Sequence, residues 1–597
     1  MSRVCALAAR SSPGTTARRC ARRWWARRFP PCPQPTSWRM RRIDWLAVTL
    51  LLLFAAALRI AGLSYGGLNP DYFPSYAPYG MAHEQLPIHP DAYVMVATPV
   101  NMALRNWLDP NFFEYPSFII NANLILFELT GSLEGYSLAE RDGLTLRVYA
   151  EHRLYVVARI WSLVGGMLQV ACAYALARLL GGRYAALCSG LLIAVSYTLA
   201  QHGHYMKPGP LALGWMMLAA WAALMALHAS GARSRWRLYL LACLATGLAA
   251  TTRYNAAAVG LLVGAVGLIL LWRHRSWLAW RGVFAAWLSI PVVFLAGSPY
   301  ILRDFAGFWR DFSYIIGQYT TTGANVPDHF LVDHLTGLAY LILYIFLYEI
   351  GIPAMCLAGL AVALCWRGRR MSSNTRLSGL LIAGLVAAYA LVAMPTVRPG
   401  HSDNLAMLIV PFLAVLAGFG APWLVERLPT SQSLSRLAVL LLLIIQPLAL
   451  TLAVMFVFTQ PDTRHAMLDW VHERIEPGAR FFLNGTRNLP LDEAIYPNTQ
   501  QFVVYTPEMP SGDDYDYLVY SDATAFDILR SWQIVPQAVI QQQHDILAAH
   551  DAAYTRLHSI ERPTWLGSEA MMNTASYYHN PGLILYCLNE VACAAVQ

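Results

Sequence analysis

Apolar runs of about 20 residues, separated by short polar turns, recur from residue 44 to residue 459. A helix of that length rises roughly 30 Å, the thickness of a hydrocarbon core. About eleven such spans are read, at 44–63, 154–179, 184–201, 208–229, 237–252, 255–272, 282–301, 343–365, 376–395, 404–422 and 437–459. The pattern predicts an all-α polytopic membrane protein. These segments lack the polar face that a large soluble helical protein would need.

Two regions interrupt the pattern. Residues 64–153 form a long loop after the first span, opening on the turn-formers Gly66-Gly67, Asn69-Pro70-Asp71, Pro74 and Pro78. Half-apolar stretches follow at 91–108 and 115–130, the second carrying Asn121, Asn123 and Glu128. They are expected to lie along the membrane surface as helices. Beyond residue 460 the apolar pattern stops. A helix at 463–475 ends at Pro477-Gly478, and strand-like runs follow at 481–483, 503–505, 517–520 and 583–586. Residues 460–597 therefore read as a small α/β domain, and 44–459 as the membrane domain. Residues 1–43 hold no acid and are rich in Arg, Pro and Ser, which predicts a disordered basic tail. Met40 is a second candidate start within it. No signal peptide is expected, because the span at 44–63 is longer than an h-region. No internal repeat is visible.

Charge sorts the turns into two sets. Arg178 and Arg183, Arg233 to Arg237, Arg273 to Arg281, Arg367 to Arg376, and Arg427 and Arg436 all fall in alternate turns. Short cytoplasmic turns retain Arg and Lys, so this set is expected inside, with the N-terminus cytoplasmic and the C-terminal domain outside. The net charge of +8 then reflects membrane anchoring rather than nucleic-acid binding. Arg-rich, Lys-poor usage suits a bacterial chain, and so an inner membrane. Cys172, Cys188, Cys243, Cys356 and Cys365 lie in spans as small apolar packers. Cys587 and Cys593 lie in the external domain, where a disulfide persists if formed.

The other set of turns holds the groups able to do chemistry. Asp71, His89, Asp91, Asp109 and Glu114 lie in the long first loop. His202, His204 and Lys207 follow the third span, and Arg253-Tyr254-Asn255 the fifth. Arg303 and Asp304 follow the seventh, and Arg398, His401, Asp403 and Asn404 the ninth. Turns meeting at one membrane face can build a pocket between helices. No Cys/His spacing reads as a zinc site, and no cofactor is indicated.

Several segments carry a resemblance. His89-Pro90-Asp91 is followed by Leu108-Asp109-Pro110-Asn111-Phe112-Phe113-Glu114-Tyr115-Pro116-Ser117. Next in order come His204 to Pro208, Arg253-Tyr254-Asn255, Ser298-Pro299-Tyr300 with Asp304-Phe305, Pro411-Phe412-Leu413, and Asp462-Thr463-Arg464. Together these resemble GT-C glycosyltransferases of the protein O-mannosyltransferase and aminoarabinose-transferase group, over residues 44 to about 480. The resemblance implies transfer of a sugar from a polyprenyl-phosphate donor to a protein, lipid or glycan acceptor at the external face. It implies Asp91 as general base, since a hydroxyl needs a proton acceptor as it attacks. Lys207, Arg253 and Arg303 are the cations for the departing phosphate. His89, His204, Tyr254 and Asn255 are expected to line the donor site. The chain departs from the family where Ala92 follows Asp91, at Gly209 after Lys207-Pro208, and near Asp403.

Each residue also has a plainer reading. Asp91 reads as a helix N-cap and Asp71 as a turn residue. Arg253 reads as a snorkelling side chain, and Arg303 with Asp304 as an exposed ion pair. Two rival functions stand beside transfer: a transporter or flippase of lipid-linked precursors, hinted at by Pro291 and Glu349, and an inactive relative acting as a scaffold.

Overall fold

The computed structural model describes residues 42–64, 90–133, 140–141, 144–145, 152–321, 338–339, 341–343, 345–367, 371–393, 402–484, 489, 491, 495–502, 509–521, 536–561 and 582–596. Asp71, His83, Glu84, His89, Arg398 and His401 lie outside them.

The first apolar run is helix α1 (Arg42–Ile60). The long loop contributes α2 (Pro90–Leu104) and α3 (Phe118–Leu129), then the two-residue strands β1 (Glu140–Arg141) and β2 (Leu144–Thr145). Next come α4 (His152–Ala158), α5 (Ile160–Ala194), α6 (Tyr197–Gln201), α7 (Pro208–His228), α8 (Ala232–Thr252) and α9 (Val259–His274). They are followed by α10 (Trp277–Gly297), α11 (Tyr300–Arg303) and α12 (Phe305–Thr321). The set closes with α13 (Gly351–Arg367), α14 (Ser373–Ala393), α15 (Ser402–Val425) and α16 (Gln432–Thr459).

Among the described residues eight helices are long and apolar enough to cross a membrane, not eleven. The chain is an integral membrane protein, and the lower number has local causes. The second and third expected spans run on as α5 without an intervening loop, as two helices meeting at a kink at Gly182, whose φ of 85° only glycine adopts without strain. Helix α8 spends its first turns on Arg233, Arg235 and Arg237. Helix α13 has only 17 residues. Helices α2 and α3 are short and apolar, as surface helices would be.

Small residues let the helices approach closely, as membrane interfaces require. A Cβ on Gly165 of α5 would lie 2.5 Å from the Leu211 backbone of α7. A Cβ on Gly418 of α15 would meet Ala185 O and Ser189 Oγ of α5.

Hydrogen bonds gather the turns into two poles. At one, Arg183 Nε reaches Asp44 (2.8 Å), Tyr184 donates to Arg436 O (2.7 Å), and Asn374 donates to Leu227 O (2.8 Å). These are Arg-bearing turns. At the other, the ends of α1, α5, α8 and α10 meet the first loop: His204 contacts Ala61 O, Tyr254 donates to Phe113 O, and Ser117 N–H donates to Ser298 Oγ. The two sets of turns read from the charge pattern are thus separated in space.

After α17 (Thr463–Arg474) the chain forms a five-stranded mixed sheet. Its strands are β3 (Phe481–Asn484), β4 (Gln500–Phe502), β5 (Tyr517–Ser521), β6 (Thr555–Ile560) and β7 (Leu583–Cys587), in the order β4-β3-β5-β7-β6. Strand β3 runs parallel to β4 and β5, and β7 is antiparallel to β5 and β6. Phe481, Leu483, Tyr517 and Val519 pack with Met467, Leu468 and Val471 of α17 on one face. Phe482, Leu518 and Tyr520 pack with Ile546 and Leu547 of α18 (Pro536–Ala553) on the other. Burial on both faces explains why these runs are continuously apolar. The expected strand at 503–505 lies outside the described residues, just beyond β4; β6 and α18 were not among the expected elements. Cys587 and Cys593 are paired, fastening α19 (Glu590–Val596) to β7.

Candidate active site

Helix α5 stops at Ala194, and the chain resumes as α6 only at Tyr197. A helix end leaves carbonyls without partners, and in a membrane these are costly. Arg59, fully buried, answers them. Its Nη1 donates to Ala55 O (3.1 Å) and Ala194 O (3.2 Å), and its Nη2 to Ile193 O (3.2 Å). Thr451 of α16 donates to Val195 O (2.8 Å). The positive guanidinium also suits the negative pole of the helix. On the far side of the break, Ser196 donates to buried Glu349 (2.8 Å). Sequence reading missed Arg59. Its signal was a lone Arg in an apolar run, which needs a partner.

This brace aims the segment 202–207 at the pole opposite the Arg-rich turns. His204 stacks on Phe458 with ring centroids 4.6 Å apart, Nε2 2.7 Å from Ala61 O and Nδ1 3.0 Å from Ala200 O. Burial pushes its pKa down to about 4, and as a neutral ring with one N–H it donates to one of these two carbonyls. These contacts give His204 a bracing role within the fold.

Lys207 is the N-cap of α7, and Pro208 occupies the first helical turn, where no N–H is needed. Arg253 interrupts the chain between α8 and the 3-10 turn Tyr254–Ala258, with extended φ and ψ of −155° and 126°. Its Nη1 would lie 3.1 Å from a Cβ on Gly209. Two buried cations, 4% and 8% exposed, therefore flank the start of one helix. The positive end of the α7 dipole points the same way, and such a terminus favours anions. Gly209 holds the space between them: a side chain there would strike Met407 as well as Arg253. Asn255, two residues on, keeps a buried Oδ1 with no hydrogen-bond partner.

The first loop is fastened against this region. The N–H of Phe113 donates to Asp311 Oδ2 (3.0 Å) of α12, and its carbonyl accepts from Tyr254 Oη (2.9 Å). Tyr254 is itself enclosed by Phe294, Phe308 and Phe312. Its hydroxyl proton is committed to the Phe113 carbonyl, so it pins the first loop. Of the other pins, Ser298 stands in the Ser298-Pro299-Tyr300 segment, whereas Asp311 went unread in the sequence because an isolated Asp carries no periodic signal. Arg303 is exposed, its guanidinium 6.0 Å from the Tyr300 ring centroid, and stands in the surface rather than the buried pair.

Asp91 lies in the first turn of α2, its side chain outside the described residues. Its neighbour Ala92 is buried in the apolar cluster that also holds Met206 and Leu211, on either side of Lys207. Among the described residues no three His, Cys, Asp or Glu side chains gather as a metal-ligand set.

Residues 125–315 match the dolichyl-phosphate-mannose-protein mannosyltransferase family. The matched stretch contains Lys207, Arg253 and the Ser298 and Asp311 pins, and stops short of Asp91. No curated protein matches the chain. Among solved structures, the chain is similar to ArnT from Cupriavidus metallidurans in the apo state, at 14% identity and TM-score 0.43, over 92% of this chain and 98% of that one. ArnT bound to undecaprenyl phosphate gives 14% and 0.44, over 92% and 99%. The Archaeoglobus fulgidus oligosaccharyltransferase complex with Zn and sulfate gives 13% and 0.42, over 80% and 68%.

Proposed function

We propose that the chain transfers a sugar from a polyprenyl-phosphate donor to an acceptor hydroxyl at the external face of the inner membrane. The carrying observation is the convergence of Lys207, Arg253 and the N-terminus of α7. A lipid phosphate is an anion delivered from within the bilayer, and these groups offer it donors in a low-dielectric setting. Arg253 grips phosphate oxygens with its fork, Lys207 acts as a point charge, and the Asn255 amide is placed to hydrogen-bond the phosphate or sugar. Arg303 and His89 serve phosphate or sugar from outside the buried pair. Asp91 takes the proton of the attacking hydroxyl, and the phosphate leaves with the bonding electron pair onto the two cations. The Arg-bearing pole is cytoplasmic on this reading, and the C-terminal domain external.

The test is donor turnover by the full chain in lipid. Polyprenyl-phosphate mannose, glucose and aminoarabinose are supplied in turn, and release of polyprenyl phosphate is measured. Release from one donor, lost in Asp91→Asn, is the expected result. Undiminished release in Asp91→Asn removes that residue from the mechanism. Absence of release from every donor returns the choice to the transporter or scaffold readings.

A further inference from the structure

Helix α2 ends in a way that builds a second polar hollow, away from the donor cations. Asn106 adopts a left-handed φ of 51°, and its N–H bonds to Ala103 O (3.0 Å) while Trp107 N–H bonds to Met102 O (2.9 Å). This is a Schellman turn with Asn in the glycine position, and it reverses the chain over the helix it has just left. Two residues later Asp109 Oδ1 accepts from Asn111 N–H (3.0 Å), and Asn111 is again left-handed, at φ 45°. The returning segment Trp107–Asn111 and the helical stripe Thr98, Asn101, Met102 and Arg105 enclose a cavity of about 190 Å³.

The lining has a definite chemical character. Thr98, Asn101 and Asn111 bring a hydroxyl and two carboxamides, which both donate and accept. Asn101 keeps a buried Oδ1 without a hydrogen-bond partner, an arrangement that natural structures rarely leave unused. Arg105 and Asp109 oppose one another in sign, so the cavity favours neither an anion nor a cation. Trp107 is 51% exposed at the rim, a flat apolar face with no core to fill. Mixed donors and acceptors, balanced charge and an exposed aromatic plane suit a neutral polyhydroxylated ring. The volume is below the roughly 300–1,000 Å³ of sites for drug-sized ligands, and fits one ring rather than a chain.

We infer that this cavity binds one sugar unit of a saccharide acceptor. The acceptor role rests on the transferase reading above. Asp91 and Asn101 are ten residues apart on one helix, roughly 15 Å along its axis. The gripped sugar therefore lies beyond the reacting one, and the acceptor is an oligosaccharide or glycolipid glycan longer than a single residue. Binding a remote unit supplies energy that orients the reacting hydroxyl.

The experiment uses the full chain in lipid nanodiscs and saturation-transfer NMR, which reads weak saccharide contacts directly. The probes are methyl α-mannopyranoside, methyl β-glucopyranoside and the linear tetrasaccharides of mannose and glucose. Wild type and Asp91→Asn are expected to transfer saturation to at least one tetrasaccharide. Trp107→Ala and Asn101→Ala are expected to reduce that transfer at least fivefold, with near-unchanged melting temperatures. No transfer to any probe, or unchanged transfer in both pocket variants, overturns the assignment. Donor turnover, measured separately on the same samples, keeps the two readings distinct. A variant set that binds saccharide but releases no polyprenyl phosphate removes the transferase reading and with it the acceptor role, while the sugar-binding cavity stands.

Discussion

On the proposed reading, Lys207 and Arg253 are the side chains on which the donor site rests. Removing one charged partner of a phosphate costs roughly 1.5–3 kcal/mol, about 10- to 100-fold in affinity. Lys207→Ala and Arg253→Ala should each raise the donor KM by that factor, measured by polyprenyl-phosphate release. Arg303→Ala, starting from an exposed side chain, should change it less than Lys207→Ala. His204 makes a contrasting prediction. Its folded pKa of about 4 lies below the ordinary 6.5, so the unfolded chain binds a proton that the folded one refuses. The stabilisation is complete above pH 6.5 and is lost as pH falls towards 4, by about 3 kcal/mol. Melting of wild type between pH 7 and pH 4.5 should fall further than melting of His204→Gln; equal slopes would mean that His204 is not the titrating group. Lys207 and Arg253 were legible in the sequence because cations at span ends are costly and so conspicuous. The bracing work of His204 and Tyr254 was not, since it is set by carbonyls of Ala61, Ala200 and Phe113 that come close only in the fold.

Elements rather than single groups hold the site's shape. Helix α12 presents Phe305, Phe308, Trp309 and Phe312 as an aromatic run and fixes Phe113 through Asp311. Tyr254→Phe loses only the Phe113 carbonyl bond, and should lower turnover several-fold with little change in melting, whereas a purely packing role predicts full activity. The meeting of α5 and α15 depends on Gly418, and Gly418→Ala should cost roughly 1–3 kcal/mol by overpacking. Detergent melting of that variant checks the figure. The helices of the membrane domain were readable because composition alone marks them. The direct meeting of the two helices of α5 at Gly182 was not, because a turn-former between apolar runs reads as a loop. In the C-terminal domain the doubly buried strands β3, β5 and β7 stood out as apolar runs. Strand β6 escaped notice because Thr555 to Ile560 is an edge, half exposed and polar on one side.

Taken as one body, the chain separates Arg-bearing turns from chemically capable ones by the length of its bundle. A phosphatase active only outside the cytoplasm, fused after residue 597, should be active in cells. The same reporter placed in the turn at 428–431 should be silent, and the reverse pattern would invert the orientation. The Cys587–Cys593 bond belongs to the external part on this reading. Replacing both cysteines by serine should cost the C-terminal domain about 2 kcal/mol, read as a lowered unfolding midpoint, with the membrane domain unaffected.

Helix α1 carries a charge at each end that meets partners in α5. Asp44, 1% exposed, pairs with Arg183 and Arg178, and Arg59 caps the carbonyls of Ile193 and Ala194. More than a hundred residues are synthesised between them. During biosynthesis α1 therefore leaves the ribosome with both charges unmatched, and its final seat does not exist until α5 has been made. Assembly is ordered by this debt: α1 can take its final seat only after α5 has been made.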